Sequence, residues 1–236
     1  FIIISSKRCG SNFFVEYLNN ITSISSYGEE FIPNRIYGDK PVDINLNNKH
    51  LLNKNYDNFD ANTKQKQINK FKKLLWNRDT TNQKMIVGAL YKYDHTVEDM
   101  TLESLFQLMK ENNTKVIHLK RKKYILTYLS LLDIKKKENK GFHNIDINDY
   151  ISFKDKLVTL ENNTDNILKE KDIDNITIYY EDLIDNKELV NDNLKRLFNM
   201  DEIIFKNKNP KFTGKPKHSI SLDKRIKNLN NIKELI

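Results

Sequence analysis

The sequence predicts an α/β fold, a three-layer α/β/α arrangement with a mainly parallel central sheet. Three observations carry this. Four short runs rich in β-branched and aromatic residues, at 1–4, 85–90, 116–119 and 176–180, have the length and composition of buried strands. Segments with helical periodicity separate them, near 97–109, 121–136, 150–169 and 189–198. Strands alternating with helices form βαβ units, which cover both faces of a parallel sheet.

The elements follow in order. Residues 1–4, Phe-Ile-Ile-Ile, form an unbroken apolar run, as a strand buried on both faces requires. Phe13, Phe14, Tyr17, Leu18 and Ile21 then recur at helical spacing, with Ser11 at the position of an N-cap. Residues 33–81 are Asn-rich and poorly periodic, with one amphipathic piece around 67–76, and read as an irregular insertion over the sheet. The strand at 85–90 leads through the helix near 97–109 to the strand at 116–119 and the helix at 121–136. A polar connection, 141–149, has the character of a lid before the long helix at 150–169. The last βα pair is 176–180 and 189–198. No repeat or composition break divides the chain, so residues 1–236 are expected to form a single domain, a length sufficient for a sizeable core.

Composition narrows the function classes without choosing one. The chain carries 40 Lys+Arg against 32 Asp+Glu, a formal charge of +8, which favours an anionic partner. Nucleic acid, a membrane surface and a phosphorylated small molecule all satisfy that balance. The 10% aromatic content argues against a wholly disordered chain. No apolar run approaches the ~18 residues of a spanning helix, so no membrane span is expected. One cysteine excludes an intramolecular disulfide framework and fits a reducing, cytoplasmic location. The chain opens on Phe1 rather than Met, so its start is read as trimmed.

The loop after the first strand carries the first chemical signal: Ser5-Ser6-Lys7-Arg8-Cys9-Gly10-Ser11-Asn12. A strand–loop–helix junction aims backbone amides and the positive helix end at one point, which suits an anion. Gly10 permits close backbone approach, Ser11 adds a hydroxyl, and Arg8 supplies a permanently charged planar fork. A Walker A loop is excluded, because no Gly-Lys-Ser/Thr follows at the required spacing.

Strand, then Ser-x-x-Arg-Cys-Gly-Ser, then helix resembles the 5′-phosphosulfate loop of sulfotransferases that use 3′-phosphoadenosine 5′-phosphosulfate (PAPS), in particular their bacterial carbohydrate and nodulation-type branch. The resemblance implies a P-loop-like phosphosulfate-binding loop formed by Lys7, Arg8, Cys9, Gly10, Ser11 and Asn12. Cys9 stands where the family pattern has Ser. Further along, Arg121 ends a strand and Ser130 follows in the next helix, similar to the family's 3′-phosphate pair. Residues nine apart on a helix face roughly opposite ways at ~100° per residue, so both reach one phosphate only if Arg121 lies on the loop before the helix, where the strand pattern places it. Tyr180-Glu181-Asp182-Leu183 resembles a further family signature, with Tyr180 at the nucleotide and the acids capping the strand–helix turn. Lys217, before Ile226-Lys227-Asn228, resembles the C-terminal basic segment that closes over the nucleotide. These landmarks occur in the family's order and leave about 33–82 unaccounted for.

The resemblance implies transfer of a sulfuryl group from PAPS to a hydroxyl of a carbohydrate or another small acceptor, releasing adenosine 3′,5′-bisphosphate (PAP), with no metal. Arg8 supplies charge to the transferring group. Glu29, in Glu29-Glu30-Phe31, matches the family's proposed base, and Glu30 is adjacent. Among five histidines His95 is the rival base, whereas His118 lies inside a strand pattern and reads as a core residue. Two other readings stand beside this one. A degenerate P-loop-like kinase would need Mg²⁺ and ATP, and a non-enzymatic basic nucleic-acid-binding module would draw on runs such as Lys135-Lys136-Lys137. The interspersed acids and the lack of a nucleic-acid motif weigh against the latter, and no nucleic-acid partner is expected.

Overall fold

The computed structural model describes residues 1–29, 86–92, 102–135, 142–207 and 221–235. The insertion at 33–81, Glu30, His95 and Lys217 lie outside the described residues. The strands are β1 (Ile2–Ser5), β2 (Ile24–Glu29), β3 (Ile86–Lys92), β4 (Val116–Lys120) and β5 (Asn175–Tyr179). They form one sheet in the order β2-β3-β1-β4-β5, and every pairing is parallel. The helices are α1 (Ser11–Asn19), α2 (Leu102–Glu111), α3 (Tyr124–Lys135), α4 (Ile147–Glu170), α5 (Asp182–Asp185), α6 (Lys187–Phe198) and α7 (Leu229–Ile232).

The alternation of β1 explains the layers. Ile2, Ile3 and Ile4 are all fully buried, yet they serve opposite faces. Ile3 packs with Phe14 and Leu18 of α1, Leu90, Ile117, Ile178 and Leu194 of α6. Ile2 and Ile4 pack instead with Ala89, Val116, Phe106 of α2 and Leu168 of α4. Helices therefore cover both faces, as the sequence predicts. Gly88 permits a close approach: a Cβ there would stand 2.3 Å from the Phe1 ring.

A third apolar cluster lies away from the sheet, where Leu126 and Leu129 of α3 meet Tyr150, Ile145, Ile226 and Ile232. It joins the C-terminal segment to α3 and α4.

Three expectations need correction. Residues 24–29, Ile-Ser-Ser-Tyr-Gly-Glu, form a strand that periodicity does not reveal. It is an edge strand, paired only with β3, and its register shifts between Ser26 and Glu29. Glu29 therefore ends a strand, and its backbone pairs with Leu90 at the carboxyl end of the sheet. Helix α3 starts at Tyr124 rather than near residue 121, while Arg121 stands on the connection after β4, where the strand pattern places it. Finally, Ser11 is the first residue of α1 and not its cap. Gly10 holds the cap position, and no side-chain cap bond is made.

Candidate functional site

Adjacent strands β1 and β4 send their chains in opposite directions. After β1 the chain crosses by α1 on one face to β2; after β4 it crosses towards β5, with α4 on the other face. Such a switch point opens a crevice at the carboxyl ends of the strands, where α/β sheets bind ligands. A cavity of about 210 Å³ lies there, lined by Arg8, Gly10, Ser11, Asn12, Phe13, Lys92, Arg121, Leu126, Ser130, Tyr180 and Arg225.

The β1–α1 loop is shaped by two left-handed residues, Arg8 at φ 64° and Gly10 at φ 94°. A Cβ on Gly10 would lie 2.1 Å from Tyr180 Cδ2, so only glycine fits between the loop and that ring. With glycine at the cap, the start of α1 has no side-chain cap, and the positive helix end faces the cavity. Arg8 Nε donates 2.9 Å to Ser130 Oγ of α3, across the cavity.

Arg121 is 8% exposed and is held from three sides. Its Nη1 donates to the Arg8 carbonyl at 3.1 Å, and its guanidinium lies 4.9 Å from the Tyr180 ring centre. Its Nε stands 3.8 Å from Glu181 Oε1, too long for a hydrogen bond, and this buried donor has no hydrogen-bond partner among the described residues. Burial lowers the basicity of Arg121, and the nearby Arg225 charge adds to this; Glu181 and Tyr180 oppose it.

Glu181 does not cap its own helix. Its carboxylate accepts from the backbone amides of Lys122 at 2.9 Å and Lys123 at 3.3 Å, across from β5 to the end of β4. Asp182 pairs with Lys122 Nζ at 2.6 Å. The acids thus order the connection that carries Arg121, rather than the turn from which they come.

Of the residues singled out in sequence, Arg8, Gly10, Ser11, Asn12, Arg121, Ser130 and Tyr180 meet at this cavity. Cys9 does not present its thiol there. It is fully buried in the core with Phe14 and Ile3. Burial pushes its pKa up, so the thiol is neutral packing. Lys7 is exposed and does not line the cavity. Sequence reasoning missed Lys92, 8% exposed at the end of β3, and Arg225, 4% exposed in the C-terminal segment. The register of Lys92 with Ser5 is what carries it to the site, and no local motif marks it.

The wall thus holds four cations, Arg8, Lys92, Arg121 and Arg225, and no carboxylate among the described lining residues. Arg8 is exposed, but Lys92, Arg121 and Arg225 are buried, where like charges repel more strongly than in water, so this arrangement is suited to a ligand with more than one anionic group. Among the described residues no group of three or more His, Cys, Asp and Glu side chains is arranged to hold a metal, and no helix is long and apolar enough to cross a membrane. No family model matches the chain, and no curated protein matches it.

Proposed function

We propose that the cavity binds PAPS and that the protein transfers its sulfuryl group to a hydroxyl of a carbohydrate or another small acceptor, releasing PAP. The observation that carries this reading is a cavity wall with four cations, three of them buried, and no carboxylate among its described lining residues, at the switch point of a parallel sheet. The ordered motifs of the sequence supply the choice among anions.

In this reading Arg8, the start of α1 and Lys92 face the phosphosulfate end. Arg121 and Ser130 take the 3′-phosphate, which also gives the buried Arg121 Nε an acceptor. Tyr180 supports the loop from below, its ring against Gly10 and Arg121. In the transfer the acceptor oxygen bonds to sulfur, the bond from sulfur to the 5′-phosphate oxygen breaks, and the acceptor proton passes to a base. Fixed positive charge offsets the charge developing on the leaving phosphate.

Glu29 is the base we propose. It ends β2, which is separated from β1 by β3 alone. At about 4.8 Å per strand, that is ~10 Å from the loop, room for an acceptor above β3, whose last residue, Lys92, lines the cavity.

Titration with PAP in the absence of divalent metal tests the reading. Saturable heat at micromolar concentrations is expected, and ATP with Mg²⁺ should bind more weakly. Absence of PAP binding up to the millimolar range overturns it.

A further inference from the structure

The fourth cation reaches the cavity by a different route from the other three. Arg8, Lys92 and Arg121 stand at or just after the carboxyl ends of strands, whereas Arg225 follows a short 3₁₀ turn, Leu222–Lys224, in the C-terminal segment. Its Nη2 donates to Asp133 Oδ2 of α3 at 2.8 Å. The other oxygen of the same carboxylate, Oδ1, receives the fully buried His143 Nε2 at 2.8 Å. Because an ionised carboxylate only accepts, His143 carries its proton on Nε2, and Nδ1 is a buried nitrogen with no hydrogen-bond partner among the described residues.

The backbone repeats the connection. The His143 amide donates to the Arg225 carbonyl at 2.8 Å, and the Lys227 amide donates to the His143 carbonyl at 2.8 Å. The Asn228 side chain closes on both the amide and the carbonyl of Ile145 at 2.8 Å. Arg225 is therefore fixed by its own main chain and by a carboxylate that a second residue holds in orientation. Asp133 takes one of the five guanidinium donors, and the side chain lines the cavity.

The side from which Arg225 enters identifies what it faces. Ile226 packs with Leu126 and Leu129, so the segment lies against the face of α3 next to Ser130. Leu126 and Ser130 line the cavity beside Arg225. The Arg225 charge also acts on Arg121. Two guanidiniums and a hydroxyl thus converge from α3, from the end of β4 and from the C-terminal segment.

We propose that Arg225 is a binding residue for the ligand's second anionic group, and that Asp133 and His143 are the positioning residues that set it. The inference rests on the reading above, in which that group is the 3′-phosphate. It extends the site by Asp133 and His143, which no sequence motif marked, and it makes anion binding and docking of the 221–228 segment one linked equilibrium.

Calorimetric titrations with PAP and with AMP, which lacks the 3′-phosphate, test this on the wild type, Arg225→Gln, Asp133→Asn and Asp133→Glu. Losing a charge-assisted contact predicts a roughly 10- to 100-fold weakening of PAP for Arg225→Gln, with AMP within about 2-fold. Asp133→Asn should show the same selective loss to a smaller degree, with Asp133→Glu recovering part of it. A purely structural ion pair would weaken both nucleotides alike, and that result overturns the proposal. An unchanged PAP affinity in Asp133→Asn overturns the positioning role. If Arg225→Gln loses its far-ultraviolet circular dichroism, Arg225→Lys keeps the charge but not the fork, and selective weakening of PAP is again required. A wild type that binds neither nucleotide overturns the functional reading itself, an outcome distinct from selective or uniform loss in the variants.

Discussion

Arg8 and Ser130, 122 residues apart, are joined by a 2.9 Å hydrogen bond from Nε to Oγ. This bond ties the loop after the first strand to the middle of α3, so the two halves of the cavity are in contact before any ligand arrives. The hydroxyl assigned to the 3′-phosphate is already engaged by the arginine assigned to the phosphosulfate end. On the proposed reading, ligand binding exchanges one contact for another.

That exchange predicts non-additivity. Arg8→Ala and Ser130→Ala should each weaken PAP, by roughly 10-fold or more for the arginine and less for the hydroxyl. The double variant should lose less than the product of the two, because each single change also removes the Arg8–Ser130 bond. Titration of the four proteins with PAP measures the coupling, and strict additivity would remove the exchange from the account.

Gly10 should tolerate no side chain. Gly10→Ala places a methyl against the Tyr180 ring and a non-glycine residue at φ 94°. The two effects together should cost about 3 kcal/mol or more, roughly 6–12 °C in Tm for a domain of this size. Adding Tyr180→Ala relieves the contact but not the backbone strain, so the pair should lose less than the sum. A calorimetric scan of the single and double variants decides this.

Glu181 should matter to ligand binding through Arg121. Glu181→Ala leaves the Lys122 and Lys123 amides without their carboxylate and frees the Arg121 connection. PAP affinity should fall roughly 10-fold, while Glu181→Gln, which keeps an acceptor oxygen, should recover much of it. Equal losses in the two variants would place the effect in charge rather than in loop geometry.

Acid should destabilise the fold in two steps. His118 is fully buried beneath α4, with Nδ1 2.7 Å from Asp165 Oδ1, and Lys120 Nζ binds the other oxygen at 2.5 Å. Burial lowers the His118 pKa, and the Asp165 contact only partly offsets it. For Asp165 burial acts against the charged form, but the bonds from His118 and Lys120, with their charges, outweigh it and the pKa falls. The unfolded chain therefore takes up a proton at His118 below about pH 6.5 while the folded chain resists, so stability drops with falling pH from that point. The Asp165 contribution is present above about pH 3.9 and is lost as pH falls through its lower folded value. Urea unfolding between pH 7.5 and 5 should show a slope that His118→Gln reduces by up to ~1.4 kcal/mol per pH unit. An identical slope in that variant would assign the acid sensitivity elsewhere.

Legibility in the sequence followed physical context. β1 and β4 are buried on both faces, so their β-branched runs stand out, and the Arg121 connection follows directly from the end of β4. β2 has a single partner and a register shift, which lets Ser25, Ser26 and Gly28 stand where a central strand would need apolar residues. Gly10 was legible as a special backbone position, but its reason, the Tyr180 ring 170 positions away in the chain, is tertiary. Cys9 misled, because a residue in a binding motif can still turn its side chain into the core. Arg225 stands directly before Ile226-Lys227-Asn228, yet its place at the cavity comes from Asp133 and His143, remote in sequence.

The central claim is that one cavity takes a nucleotide by two anionic ends, with Arg121 on the 3′-phosphate. The most direct measurement is the affinity of wild type and Arg121→Ala for PAP and for adenosine 5′-phosphosulfate, which lacks the 3′-phosphate. The account predicts that Arg121→Ala weakens PAP by at least ~10-fold more than it weakens adenosine 5′-phosphosulfate. Equal weakening of the two would contradict it.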